Sequence, residues 1–170
     1  MEGNKHNNNI YNIEKYDSFM LKKYNVDIAP IRDITALGSI TLYGLFLLLF
    51  LSVQEYKLVL LLIFGLAISY IISISIRLIY FKNRPNKQKH NNWIERLDAS
   101  SFPSIHASRI VFVAMVFIFK FNSVYTTLFW ILVSLLVMYS RYHLKKHDWI
   151  DLSAGALLGI LTYWLSTLIF

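Results

Sequence analysis

Three short polar clusters interrupt an otherwise apolar chain, and they hold the side chains that are able to do chemistry. Arginine presents a fixed fork of N–H donors that suits oxyanions, and histidine transfers protons near neutral pH. Such groups, brought together at one end of a bundle, suit phosphoryl transfer. They are Arg77 and Arg84 in the first cluster, Ser104 and His106 in the second, and Arg141, His147 and Asp151 in the third.

The first cluster places Arg77 and Arg84 seven residues apart. Seven residues make nearly two helical turns, so both side chains point the same way if the helix continues to Arg84, where Pro85 would end it. Two converging guanidinium groups predict a site for a multiply charged oxyanion. Arg77 and Arg109 also lie inside apolar segments, where ionisable groups are expensive and usually functional, although snorkelling to the interface is the alternative.

The second cluster, Ser101–His106, opens an apolar segment. Pro103 suits the first turn of a helix, and a helix N-terminus exposes N–H groups that bind phosphate. Ser104 adds a hydroxyl donor. His106 would then lie beside the bound anion, where it can protonate a leaving oxygen. A capping serine with an interfacial histidine is the structural alternative.

The third cluster contains His147 and Asp151, four residues apart and therefore on one helical face. A carboxylate at that spacing can bind one imidazole nitrogen and leave the other as a nucleophile or base. Arg141 adds a third guanidinium group to the set. An interfacial ion pair is the alternative for this cluster taken alone.

Long apolar segments must position these clusters. Hydrophobic residues make up 56% of the 170 residues and charged residues only 16%, whereas soluble domains carry about a quarter. Each of five segments can cross a hydrocarbon core of about 30 Å, and a span must satisfy its own backbone, so each is predicted to be helical. The chain is therefore predicted to be an all-α integral membrane helical bundle. The segments run approximately over Ala36–Val53, Lys57–Tyr80, Ser104–Phe121, Ser123–Tyr139 and Trp149–Phe170.

The N-terminal region differs in composition from the spans. Residues 1–12 are rich in Asn and are predicted to be disordered, and residues 13–170 are predicted to form a single domain. Ile13–Tyr24 has apolar residues at helical spacing, which predicts an amphipathic helix lying in the membrane interface. No signal peptide is expected, and the absence of cysteine excludes disulfide and thiol chemistry.

Five spans place all three clusters on one side of the membrane, with the loops Phe81–Phe102 and Ser140–Asp148 and the N-terminus. The net charge is +7 and the pI about 9.6. In a chain that is mostly membrane span, this charge favours an anionic lipid or substrate over nucleic acid as the partner.

In these clusters the chain resembles the type 2 phosphatidic-acid phosphatase family, which shares its site with vanadium haloperoxidases. The family pattern is Lys, six residues, Arg-Pro; then Pro-Ser-Gly-His; then Ser-Arg, five residues, His, three residues, Asp. Arg77 replaces the Lys and Ile105 replaces the Gly, and Ile would resist a positive φ angle. Here the blocks read Arg77 to Arg84-Pro85, Pro103-Ser104-Ile105-His106, and Ser140-Arg141 followed by His147 and Asp151.

The resemblance implies a mechanism without a metal or other cofactor. His147 attacks phosphorus while Asp151 holds its imidazole, and His106 protonates the leaving group and then activates water. The phosphate oxygens are held by Arg77, Arg84, Ser104, the amide of Ile105 and Arg141.

Three alternatives remain open from the sequence. His143, His147 and Asp151 recur at intervals of four, which could be metal-ligand spacing for a metal-dependent hydrolase. A catalytically inactive lipid-phosphate binding or transport protein is the second, and Ile105 is the feature in its favour. Vanadate-dependent oxidation is the third, and five spans suit a lipid substrate better.

The expected substrate is a lipid phosphate or diphosphate monoester, of polyprenyl diphosphate or phosphatidic-acid type. The orientation rests on conflicting signals. Of the 17 Lys and Arg residues, only Lys57 and Lys120 lie opposite the site, so the positive-inside rule predicts a cytoplasmic site. Members of the family that the chain resembles usually face outward, and on that ground we expect a multi-pass cell-membrane protein whose site faces outside.

Overall fold

The protein is all-helical in a computed structural model that describes residues 29–86 and 91–170. This confirms the predicted all-α class: the described residues form no strand, only an isolated antiparallel bridge between Asn83 and Ser100. Residues 1–12 and the amphipathic helix predicted for Ile13–Tyr24 lie outside the described residues. The helices are α1 (Ala29–Ala36), α2 (Ile40–Ser52), α3 (Tyr56–Ile79), α4 (Trp93–Ala99), α5 (Ile105–Phe121), α6 (Val124–His143) and α7 (Trp149–Thr167).

A helix occupies most of each of the five predicted apolar segments, although α6 continues to His143, beyond the predicted end at Tyr139. α3, α6 and α7 are each long and apolar enough to cross a membrane, and α1 with α2 makes a fourth such unit, bent by 41°. α5 has 17 residues, which is about 26 Å at about 1.5 Å per residue. It packs against α3, α6 and α7 and is the central helix of the bundle.

Two glycines let α7 lie close against α5. A Cβ placed on Gly155 would lie 2.9 Å from the Ala107 Cβ and still closer to the Ser104 carbonyl oxygen, and one on Gly159 would lie 3.0 Å from the Val111 Cβ. This is the close approach that small residues at a spacing of four permit. It brings the start of α7 beside the start of α5, where the Ser104 amide donates to a carbonyl in α7's first turn at 3.0 Å.

α3 packs against α5 in a similar way. A Cβ on Gly65 would overlap the ring of Phe112, and the hydroxyls of Ser69 and Ser108 share a hydrogen bond of 2.8 Å. In an apolar bundle such a bond satisfies two polar groups that have no water available. It fixes the register of α3 relative to α5.

α1 is tied to α6 by a hydrogen bond between Thr35 and Ser140, with an oxygen–oxygen distance of 2.7 Å. The Ser140 hydroxyl donates to the Val137 carbonyl at 2.7 Å, so Thr35 is the donor of the pair. Ser140 therefore has a structural role, because it holds α1 against the end of α6 that carries Arg141.

Large apolar side chains cover much of the outer surface. Ile71 is 64% exposed, Leu132 57% and Leu157 67%, on three different helices. An exposed apolar surface of this extent on helices of spanning length suits a hydrocarbon environment rather than water.

Candidate active site

A cavity of about 160 Å³ brings together six of the eight residues predicted for the site. Tyr70, Asp98 and Arg109 complete its lining. Ser104 and Asp151, the two other predicted residues, are fully buried and are not among the residues that line the cavity. The six predicted residues that line it are Arg77, Arg84, Ile105, His106, Arg141 and His147.

The N-terminus of α5 forms one wall of this cavity. Ser104 is the N-cap residue of α5, and its hydroxyl accepts from the Ala107 amide at 3.5 Å. Ile105 begins the helix, and the non-glycine residues with positive φ in the described ranges lie elsewhere. No glycine is needed at this position, because the first helical residue adopts an ordinary right-handed conformation. The bulk of Ile105 is therefore compatible with an anion site at this helix end.

His147 is held through one ring nitrogen by the backbone. Its Nδ1 lies 2.9 Å from the Ser101 carbonyl oxygen, and the residue is 3% exposed. A carbonyl oxygen only accepts, so Nδ1 carries the proton and donates it. The other nitrogen, Nε2, then keeps the lone pair of a neutral imidazole.

Electrostatics also favour the neutral form of His147. Burial lowers the pKa of His147, and the charges of Arg141 and Arg84 lower it further, against an opposing interaction with Asp151. A histidine nucleophile must be unprotonated to attack. The environment therefore keeps His147 in the form that nucleophilic attack requires.

Asp151 contacts Lys82 more closely than it contacts His147. Its Oδ2 lies 3.8 Å from Nδ1 of His147, which is beyond a hydrogen bond, whereas its Oδ1 accepts from Lys82 Nζ at 2.8 Å. The sequence predicted a carboxylate bound directly to the imidazole, and the Ser101 carbonyl takes that position instead. Asp151 is 0% exposed, so it acts on His147 as a buried negative charge at short range.

Lys82 joins two carboxylates at the start of α7. Its Nζ donates to Asp148 Oδ2 at 2.6 Å and to Asp151 Oδ1 at 2.8 Å. Burial lowers the pKa of Lys82, but the two carboxylates outweigh it and raise the pKa overall. Asp148 and Asp151 also form a capping box that begins α7. Lys82 therefore fixes the carboxylate that lies behind His147.

Arg77 and Arg84 reach the same cavity, but not along one helix. α3 ends at Ile79, and Tyr80 is extended at φ −125° and ψ 102°, so the continuous helix considered for these two residues is wrong. The reason is backbone pairing, since the Lys82 carbonyl accepts from the Ser101 amide at 2.8 Å. This pairing draws the chain out of the helix before Arg84.

The two guanidinium groups also hold the surrounding loop. Arg77 donates to the carbonyls of Leu97 at 2.9 Å and Pro103 at 3.0 Å, and Arg84 donates to the carbonyl of Asp98. Each terminal nitrogen of a guanidinium carries two hydrogens. The arginines can therefore brace α4 and the Pro103 segment and still offer donors to an anion in the cavity.

Several cavity arginines carry a buried guanidinium nitrogen without a hydrogen-bond partner. The Nε atoms of Arg77, Arg109 and Arg141 are buried and have no hydrogen-bond partner within the ranges 29–86 and 91–170. Arg109 is 6% exposed and Arg141 8%. Buried donors of this kind usually have an acceptor, and in a cavity that acceptor can be a ligand.

Lys82, Ser101 and Arg109 are among the site residues that the motif blocks did not include; Tyr70 and Asp98 of the cavity lining are two others. The carboxylate partners of Lys82 are 66 and 69 residues away, so no local spacing could reveal them. The Ser101 contact is made by a backbone carbonyl, which has no signature in a sequence. Arg109 did leave a signal, because a charge within an apolar segment and three residues after His106 belongs on the same helical face.

The metal-ligand interpretation of the third cluster finds no support in the geometry. Within the part of the chain that the structure describes, no three His, Cys, Asp or Glu residues come together as a metal site. His143 instead lines a neighbouring cavity of about 480 Å³ that shares Arg141 with the first. Its other charged lining residues are Arg32, Lys145 and Lys146.

Fold and site together define an all-helical bundle with an arginine-lined cavity between a helix N-terminus and a buried, backbone-held histidine. The PAP2 superfamily profile matches residues 58–170, and the chain belongs to this superfamily of phosphatases. All three motif blocks lie within the matched range. The resemblance read from the sequence is thereby confirmed.

The fold has a counterpart among solved structures. The crystal structure of Aquifex aeolicus LpxE matches with a TM-score of 0.67 and 21% identity, covering 84% of this chain and 86% of that chain. At this identity the likeness shows the fold. No curated protein matches the sequence.

Proposed function

We propose that this protein is a membrane phosphatase that hydrolyses a lipid phosphate or diphosphate monoester through a phosphohistidine intermediate, without a metal. The observation that carries the proposal is the hydrogen bond from His147 Nδ1 to the Ser101 carbonyl oxygen at 2.9 Å. It supplies a buried, neutral imidazole with Nε2 available, in a cavity that also holds His106 and guanidinium groups. That combination suits attack on a phosphoryl group.

In the first step, the lone pair of His147 Nε2 forms a bond to phosphorus. The bond between phosphorus and the leaving oxygen breaks, and that oxygen keeps the electron pair. His106 gives it a proton, which makes His106 neutral. The anionic substrate favours the protonated form of His106 that this step requires, because it brings negative charge into a cavity of cations.

In the second step, neutral His106 takes a proton from water as the water oxygen attacks phosphorus. The nitrogen–phosphorus bond breaks, its electron pair returns to Nε2, and inorganic phosphate leaves. Asp151 stabilises the positive charge that His147 carries while it is phosphorylated, since the buried carboxylate lies 3.8 Å from Nδ1.

The phosphate oxygens are held by arginines and by the N-terminus of α5. Arg84 and Arg141 line the cavity, and Arg77 has remaining donors beside it. The Ile105 amide stands at the helix end, and the Ser104 hydroxyl can rotate its proton toward an anion while its oxygen accepts from Ala107. These donors match charge that spreads over three oxygens in the transition state.

The substrate is lipid-linked because the site opens at the end of a bundle with an apolar exterior. A phosphorylated headgroup at the interface can reach the cavity while its tail stays among the exposed side chains of the helices. The basic residues around the neighbouring cavity of about 480 Å³ attract such headgroups. We propose that the end of the bundle that carries the site faces the outside of the cell.

Phosphate release by detergent-purified protein tests the proposal. The substrates are a long-chain polyprenyl diphosphate and phosphatidic acid, each in excess EDTA, with His147→Ala assayed beside the wild type. We expect release by the wild type only. Activity that needs added metal, or that survives in His147→Ala, would contradict the phosphohistidine mechanism. No release from either lipid would support the inactive binding protein instead.

A further inference from the structure

Arg109 is a buried cation that the reaction described above does not use. It is 6% exposed, and its Nη1 makes a long contact of 3.5 Å to the Tyr70 hydroxyl. Its Nε has no hydrogen-bond partner among the described residues. A charge inside an apolar segment is expensive unless an opposite charge meets it. The position therefore calls for an anion at this part of the cavity.

The place of Arg109 on α5 identifies which anion that is. It follows His106 by three residues, which puts it on the same face and about 4.5 Å further along the helix axis. His106 protonates the leaving oxygen, and the transferred phosphoryl group lies at the helix N-terminus. Arg109 therefore lies beyond the breaking bond, on the side of the leaving group.

The net charge of the residues that line the cavity also indicates an anion on the leaving group. They comprise four arginines, Arg77, Arg84, Arg109 and Arg141, and one carboxylate, Asp98. A phosphate monoester brings a charge of about −2. With His106 protonated for the first step, this leaves about two positive charges unmatched in surroundings of low dielectric constant. A second phosphate on the leaving group supplies about one further negative charge.

We propose that Arg109, with the Tyr70 hydroxyl beside it, binds a phosphate on the leaving group and so selects lipid diphosphates over lipid monophosphates. This inference rests on the proposed phosphatase function. His147 attacks the terminal phosphorus, and the bond from that phosphorus to the bridging oxygen breaks. The electron pair stays on the lipid monophosphate that departs, and Arg109 stabilises its charge. His106 gives its proton to that oxygen and becomes neutral, as the second step requires.

The test compares a prenyl diphosphate with the monophosphate of the same prenyl chain. The quantity measured is the ratio of kcat/KM for the diphosphate to kcat/KM for the monophosphate, in detergent micelles. We expect the wild type to favour the diphosphate by about tenfold or more, and Arg109→Gln to lower that ratio by about tenfold or more, as the loss of a bond to a charged group predicts. Arg109→Lys, which keeps the charge, should retain most of the ratio.

A matched control is Arg96→Gln, because Arg96 is an exposed arginine that stacks over Phe81 outside the cavity. Its ratio should equal that of the wild type. A wild type that favours the monophosphate overturns the inference even if Arg109→Gln fails to fold. Equal losses on both substrates in Arg109→Gln would also overturn it. Failure of the proposed function looks different, since neither lipid would then be hydrolysed.

Discussion

At the scale of single residues, the chemistry depends on which groups meet each nitrogen and oxygen. The sequence identified both histidines and the carboxylate, because their types and spacings are visible along the chain. It did not identify their partners. The Ser101 carbonyl holds His147, and Lys82 holds Asp151, through contacts between segments more than forty residues apart. Such contacts follow from tertiary packing and leave no local pattern.

Lys82 is a positioning residue in this mechanism, and Lys82→Met should reveal it. The variant leaves the carboxylates of Asp148 and Asp151 without their shared cation. The position of the negative charge beside His147 therefore changes. We expect kcat to fall by about tenfold to a hundredfold, with a smaller change in KM. Lys82→Arg, which can bridge the two carboxylates, should recover part of kcat. Equal changes in both variants, or a change in KM alone, would count against this role.

The protonation of His147 gives a second prediction at this scale. Because its pKa is lowered, the neutral form persists as the pH falls through about 6.5, the ordinary histidine value, and protonation occurs only at lower pH. NMR of histidine-labelled protein without substrate measures this directly, and loss of one signal in His147→Gln assigns the ring. A titration of His147 at or above the ordinary value would contradict these electrostatics.

At the scale of elements, close packing between α5 and α7 builds the site. The small residues of α7 recur at a spacing of four in the sequence, and the face that they share with Asp151 is buried. The end of α3 was harder to predict. Pro85 marks only the latest point at which the helix could end, and the chain leaves the helix earlier, where its backbone pairs with Ser100 and Ser101.

Gly155→Ala tests the contact between these helices. The added Cβ would press on Ala107 and on the Ser104 carbonyl, next to the N-terminus of α5. Overpacking should lower the free energy of unfolding by about 1–3 kcal/mol and also lower kcat. Thermal unfolding in detergent and phosphate release measure the two effects.

Gly44→Ala is the matched control for Gly155→Ala. A Cβ on Gly44 would meet nothing within 4 Å, and alanine favours a helix by about 0.5–1 kcal/mol. This variant should be as stable as the wild type or slightly more stable. If both alanine variants behave alike, the close approach of α7 to α5 does not set the geometry of the site.

At the scale of the whole molecule, the apolar pattern was the most reliable guide. Five apolar segments predicted a helical bundle, and each segment contains a helix, because a segment of that length and composition has few other ways to satisfy its backbone. The bend between α1 and α2 was not foreseen. The bend lies at a tightly packed junction, where a Cβ on Gly38 would lie 2.9 Å from Val137.

The orientation in the membrane is a prediction at the scale of the whole molecule. Cysteine labelling can test it, because the chain has no cysteine of its own. Asn91→Cys places a thiol on the side of the site, and Lys57→Cys places one at the opposite end of α3; both positions are exposed. In intact cells, a membrane-impermeant thiol reagent should label Asn91→Cys and spare Lys57→Cys. The reverse pattern would place the site in the cytoplasm, as the distribution of lysine and arginine favours.

The proposed mechanism requires that His147 becomes phosphorylated, and trapping the intermediate examines this requirement. Purified protein is mixed with a lipid diphosphate labelled in the terminal phosphate, quenched within one turnover under alkaline conditions that preserve phosphohistidine, and mapped by mass spectrometry. The mechanism predicts a phosphoryl group on His147, bound through Nε2, which is absent in His147→Gln and disappears as phosphate is released. Turnover without a phosphorylated protein, or a phosphoryl group on another residue, would contradict it.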